Sequence, residues 1–117
     1  MRCRAAGPFH IERVEPPDGA RGVLRDDPVS LRLSAPLHAD GLASATLEVW
    51  EGERTLPARL EILDGRRVVV WWPQTLLRGG CEHRVVVRGL RDRLGREAPP
   101  HASRFTPGAL SGDDIRS

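Results

Sequence analysis

Pro28-Val29-Ser30-Leu31-Arg32-Leu33-Ser34 is the most regular stretch of the chain. Val29, Leu31 and Leu33 fall on one side of an extended backbone, and Ser30, Arg32 and Ser34 on the other. A period of two with a polar outer face specifies a half-buried antiparallel strand. Ala35-Pro36 ends it, because proline has no amide hydrogen to donate to a ladder.

The same alternation recurs on both sides. Upstream, Phe9–Val14 places Phe9, Ile11 and Val14 among polar neighbours and stops at Glu15-Pro16-Pro17-Asp18-Gly19, a strong turn signal. Downstream, Ala45–Trp50 sets Leu47 and Val49 against Thr46, Glu48 and Trp50, and Glu51-Gly52-Glu53 is a short hairpin loop. Leu56–Leu63 reads as a strand weakened at Pro57, which suits a sheet edge. Asp64-Gly65 is a hairpin turn, since glycine readily takes the positive φ that tight turns need. Arg67–Trp72 is the most β-prone segment, followed by a loop in which Leu76-Leu77 forms an apolar plug before Gly79-Gly80. Glu82–Leu90 alternates His83, Val85 and Val87 with Arg84, Val86 and Arg88, and Ser103–Thr106 is a short last strand around Phe105.

About seven strands separated by turns at this spacing predict an all-β, immunoglobulin-like antiparallel sandwich over residues 9–106. Residues 1–8 read as a flexible lead and 107–117 as a flexible tail or linker. The expected core is Val29, Leu31, Leu33, Leu47, Val49, Val69, Trp71, Val85, Val87 and Phe105. Burying each large side chain is worth about 1.5–3 kcal/mol, the scale needed against chain entropy.

Composition agrees. The chain has 117 residues, 39% hydrophobic and 29% charged, with 12 Gly and 10 Pro. That is one domain, and so many breakers leave little room for long helices. No apolar run approaches the length of a membrane helix. Net charge is +2, and all 18 cations are arginine. A chain with no Lys, Asn or Tyr has the composition expected from a GC-rich genome, so the arginines need not mark a selected basic surface. Acids are interleaved with them, as in Arg91-Asp92-Arg93, which argues against nucleic acid as a partner.

Four segments in order carry a family likeness. They are Val14-Glu15-Pro16-Pro17-Asp18-Gly19-Ala20, Asp27-Pro28-Val29-Ser30-Leu31-Arg32-Leu33-Ser34-Ala35-Pro36-Leu37, the strand–Pro–Leu-x-x-Gly element of Val69–Gly79, and Val85-Val86-Val87-Arg88-Gly89-Leu90-Arg91-Asp92-Arg93-Leu94-Gly95-Arg96. Together they resemble the bacterial immunoglobulin-like domain of S-layer and other surface proteins, of the SbsA type. Leu33 stands where that family prefers Phe, His83 where it usually has Tyr and Arg96 where it usually has Asn. In the last segment Asp92 is placed to accept backbone hydrogen bonds and Gly95 to supply a left-handed position. The resemblance implies a structural or interaction role outside the cytoplasm: at the cell surface, in the periplasm, or secreted.

Candidate sites are few. Parity puts Trp50 and Trp72 on outer faces with Arg84 and Arg88, where they form either a partner-binding or sugar-stacking surface or a face covered by stacked arginines. Cys81 and His83, two residues apart, offer half a zinc or copper site or a small strand-start residue beside a core-edge ring. A copper carrier's methionine-rich segment is missing, as Met1 is the only methionine. Asp26-Asp27 and Asp113-Asp114 lack calcium-loop spacing and read as turn and tail solvation. Cys3 is either the remnant of a lipid-anchored N-terminus or an ordinary thiol. The sandwich puts it about 17–20 Å from Cys81, so two free thiols are expected. The N-terminus has no apolar stretch of signal-peptide length. No phosphate loop, nucleophile elbow or cofactor motif occurs, and the expectation is a non-enzymatic protein-interaction module, with glycan or copper binding as the rival.

Overall fold

The computed structural model describes residues 8–43 and 45–112. Among the described residues nine strands form two sheets: β1 (Ile11–Glu15), β2 (Ala20–Val23), β3 (Val29–Leu33), β4 (Thr46–Glu51), β5 (Arg54–Thr55), β6 (Ala58–Leu63), β7 (Val68–Pro73), β8 (His83–Arg88) and β9 (His101–Pro107). The four-stranded sheet runs β1-β3-β7-β6 and the five-stranded sheet β2-β9-β8-β4-β5. All pairings are antiparallel except β2 with β9. The architecture is the expected all-β sandwich.

The seven strands read from alternation are all present, and β2 and β5 are additional. Neither has a pattern to read. β2 is four residues with a glycine inside it and is held by a parallel pairing to the far end of the chain, Ala20 opposite Phe105. β5 is two residues created by the turn at Gly52, whose φ is +61°.

The inner faces meet as the alternation requires. Val29, Leu31 and Leu33 of β3 and Val85 and Val87 of β8 are fully buried, with Trp71 and Phe105 among the largest core side chains. Phe9, Leu37, Leu77, Leu90 and Ala98 close the core from the connecting segments. Leu77 is the plug, buried while its neighbour Leu76 is exposed. One position departs from the expected list. Leu47 is only partly buried, because β5 pairs with Trp50 and Glu51 alone and leaves the rest of β4 uncovered along that side. Val70, on the same outward side of β7 as Trp72, is buried as well, since it lies on central β7 between Ser30 of β3 and Glu61 of β6.

Polar contacts tie the loops to this core. The Arg66 guanidinium donates to the carbonyls of Leu37, His38 and Ala39 at 2.9–3.1 Å. Arg25 and Leu77 are joined by a backbone bond of 2.8 Å and by Arg25 Nε donating to the Leu77 carbonyl at 2.7 Å. Of the stretch 107–117 read as a tail, the described part is attached to the β2–β3 region. Gly108 N donates to the Val23 carbonyl at 2.8 Å, and Gly112 N to Asp26 Oδ1 at 2.7 Å.

Candidate functional site

The outer face of the five-stranded sheet gathers three of the four partner-binding candidates, Trp50, Arg84 and Arg88. Register places Trp50 of β4 beside Arg84 of β8, and Arg84 beside Arg104 of β9. The next outward row sets Glu48, Val86 and Ala102 side by side, and the next sets Thr46 beside Arg88. Alternation dictates this, because the inward partners along the same strands are Val49, Val85, Val87 and Phe105.

Arg84 lies over the Trp50 indole, 5.5 Å from guanidinium carbon to ring centroid. Trp50 Nε1 donates to Glu48 Oε1 at 3.3 Å. Two arginines directly opposite each other repel, and the neighbourhood offsets that. The Trp50 ring faces one, and Glu82 Oε1 lies 3.6 Å from Nη1 of the other. Both partners of the Arg104–Glu82 pair are more than half exposed, so its contribution is small. Two shallow depressions share Arg84 and Arg104. One, of 360 Å³, is completed by Asp18, Ala102 and Ser103, and the other, of 180 Å³, by Trp50, Gly52, Glu82 and His83. The face can bind by stacking and by charge-assisted hydrogen bonds from arginine. Arg104 escaped the sequence reading, since only the strand order shows that it adjoins Arg84.

Trp72 belongs elsewhere. It lies on β7 of the four-stranded sheet, where Nε1 donates to Glu61 Oε1 at 3.0 Å and Arg59 stacks on the ring at 5.7 Å. The two outward tryptophans therefore occupy opposite sheets and form no common platform. Each carries a stacked arginine.

His83 is fully buried. Its ring stacks on Phe105 at 5.4 Å between centroids. Nδ1 lies 2.8 Å from the Cys81 carbonyl, which only accepts, so Nδ1 carries the proton. Nε2 has no hydrogen-bond partner and faces Glu51 Oε1 at 3.6 Å. The Cys81 sulfur makes a long 3.9 Å contact to the Glu82 carbonyl. This histidine is a core-edge ring docked by its neighbours. The others sit apart: His10 Nδ1 lies 2.9 Å from the Pro8 carbonyl, His38 Nδ1 accepts from Asp40 N, and His101 Nε2 pairs with Ser103 Oγ. Among the described residues no three metal-ligating side chains converge. Asp26 and Asp27 accept from the backbone amides of Gly112 and Leu24. Cys3, the Cys3–Cys81 question and Asp113-Asp114 lie outside the described residues.

Among the described residues Asp92 is a tightly held ionisable group. It is buried, and Oδ1 accepts from Leu94 N at 3.0 Å and Arg96 N at 2.8 Å. Oδ2 accepts from Arg96 Nε at 2.7 Å, with Nη2 also at 2.7 Å. Burial pushes its pKa up, but the backbone and side-chain hydrogen bonds from Arg96, the Leu94 amide and the Arg96 charge together hold it below the ordinary 3.8. Gly95 supplies the left-handed residue of the loop at φ +80°. Arg96, where the resembled family has Asn, completes the carboxylate's partners with its guanidinium.

At one end of the sandwich an open cleft of 580 Å³ is lined by Arg25, Arg78, Gly79, Gly80, Pro107, Gly108 and Ala109. A Cβ on Gly79 would sit 2.4 Å from the Gly108 carbonyl oxygen, so glycine is what lets the two loops touch.

No protein-family model matches the chain, and no curated protein matches it. Its fold does recur in solved structures. The N-terminal part of the bacterial S-layer protein SbsC is similar at TM-score 0.63 and 16% identity, over 86% of this chain and 24% of that one. An L,D-transpeptidase from Mycobacterium smegmatis is similar at TM-score 0.61 and 19% identity, over 86% of this chain and 40% of that one. PcoC, a copper resistance protein from Escherichia coli, is similar at TM-score 0.66 and 14% identity, over 84% of this chain and 98% of that one. At these identities the shared property is the sandwich fold. The chain spans about a quarter of the S-layer fragment's length and two-fifths of the transpeptidase's. No helix among the described residues is long and apolar enough to cross a membrane.

Proposed function

We propose that the protein is a non-enzymatic interaction module of a bacterial surface, periplasmic or secreted assembly, built as the SbsA-type domains are. It docks through the outer face of its five-stranded sheet. The observation that carries this is the Trp50–Arg84–Arg104 row with Arg88 beyond it, an outer face on which Arg84 is stacked on the Trp50 ring and Arg104 faces Glu82. Arginine and tryptophan are among the residues enriched at the anchoring points of protein interfaces. Such a face fits an acidic protein surface. The similarity to an S-layer domain supports an extracytoplasmic setting, and the similarity to a copper resistance protein is compatible with it.

Glycan binding remains the second reading only at Trp50, since Trp72 is on the other sheet. Copper binding through Cys81 and His83 draws on the PcoC likeness, but the buried imidazole offers one free nitrogen, aimed at Glu51. The test is size-exclusion of envelope extracts from the native host. The wild-type chain is expected in a large complex, and Arg84→Glu/Arg88→Glu is expected to run alone with an unchanged Tm. A double variant that stays in the complex refutes this docking face.

A further inference from the structure

Each sheet has two edge strands, and three of the four are blunted. β1 is bulged between Ile11 and Arg13, β2 is bulged between Arg21 and Val23, and β5 is two residues long. Such interruptions are how sheets avoid pairing with other chains. β6 is different. Its register to β7 runs without a break from Ala58 opposite Pro73 to Leu63 opposite Val68, and no described strand covers its other side. It also carries two large exposed apolar side chains, Leu60 and Leu63, each 43% exposed. Leu60 lies opposite Trp71 and so faces inward, yet it stays open at the edge of the sheet.

The side-chain order of β6 is self-complementary. Let a second copy add antiparallel, with the two-fold axis at Leu60. Directly opposed residues then share a face. Arg59 meets Glu61 of the copy on the outer face, twice by symmetry. On the inner face Leu60 meets Leu60, and Ala58 meets Ile62. Beyond them Pro57 meets Leu63. Every charge finds its opposite and every apolar residue an apolar one, in the isologous pattern that a two-fold interface requires. Arg59 and Glu61 are already positioned, one stacked on Trp72 and the other accepting its Nε1 hydrogen.

We propose that β6 is a homodimerisation edge, through which two copies join their four-stranded sheets into one eight-stranded sheet. This goes beyond the docking face above. It concerns the other sheet and is tested on purified chain, so either can fail without the other.

The experiment is sedimentation equilibrium at up to about 100 µM, where a micromolar dimer is populated. Arg59→Glu sets a second carboxylate opposite Glu61 of the copy, and Glu61→Arg sets a second guanidinium opposite Arg59. Each single variant is expected to raise the dimer Kd at least about tenfold through like-charge repulsion at both symmetric contacts. An equimolar mixture of the two is expected to restore a dimer, because each remaining pair across the mixed interface can then set a guanidinium against a carboxylate. The double variant Arg59→Glu/Glu61→Arg is also expected to dimerise. If charge reversal unfolds the sheet by disturbing Trp72, Leu60→Lys gives the second reading and must lose the dimer. A monomeric wild-type chain overturns the proposal. So do single variants that dimerise as wild type does, or a mixture that stays monomeric.

Discussion

Replacing Asp92 by Asn changes one oxygen for an amide group and tests the physics of the β8–β9 connection. The asparagine side chain keeps an Oδ1 for the Leu94 and Arg96 amides. Its Nδ2 would point two hydrogens at Arg96 Nε and Nη2, turning two 2.7 Å charge-assisted bonds into donor–donor contacts. Hydrogen bonds to charged groups contribute about 1.5–3 kcal/mol each. The Arg96 side chain is one-third exposed, so water recovers part of that loss. The expected cost at pH 7 is therefore about 2–3 kcal/mol, or a fall in Tm of about 8–12 °C for a domain of this size. The pH dependence has a defined sign. The folded-state pKa of Asp92 is lowered, so its stabilisation is complete above the ordinary 3.8 and is lost as pH falls through the lower folded value. Urea unfolding of both proteins should show a gap that is constant near neutrality and shrinks below pH 3.8. A difference at pH 7 under about 0.5 kcal/mol, the range of ordinary surface changes, would refute the reasoning. So would a gap that does not narrow in acid.

Gly79→Ala should destabilise by about 1–3 kcal/mol, because its methyl meets the Gly108 backbone oxygen and a loop must move; thermal unfolding reads it. Leu31→Ala should cost about 2–5 kcal/mol and Leu47→Ala clearly less, since one is fully buried and the other sits beside the uncovered flank of β4; equal costs in urea titration would contradict the assigned burial. His83→Ala removes the ring stacked on Phe105 and should lower Tm well below wild type, while His83→Phe retains the stack and eliminates the orphaned Nε2, so it should recover most of the loss. Arg84→Ala should leave Tm within about 2 °C and alter the Trp50 fluorescence, because the contact is exposed stacking and not core packing.

Alternation carried most of the fold. β3 and β8 were legible because each has one face in the core and one in water, which writes the strand period directly into residue order. β2 was not, because its partner is β9, at the far end of the chain, and a parallel neighbour leaves no local hairpin signal. Parity correctly turned Trp50 and Trp72 outward, but parity cannot say which sheet a strand joins. The supposed pair was separated by strand order alone. The same limit hid Arg104 beside Arg84, and the open flank of Leu47. Asp92 and Gly95 were readable because a buried turn needs an acceptor and a left-handed residue at those places. The Arg96 guanidinium filling the remaining Asp92 oxygen is a tertiary detail that the loop sequence does not announce.

The claim that this molecule acts by contact through its five-stranded sheet is tested most directly by a photoreactive residue at Arg88, compared with one at Leu76 on the exposed plug loop, in the native host. The account predicts one discrete adduct with another envelope or secreted protein from position 88 and none from position 76. No adduct at 88, or adducts equally from both sites, would contradict it.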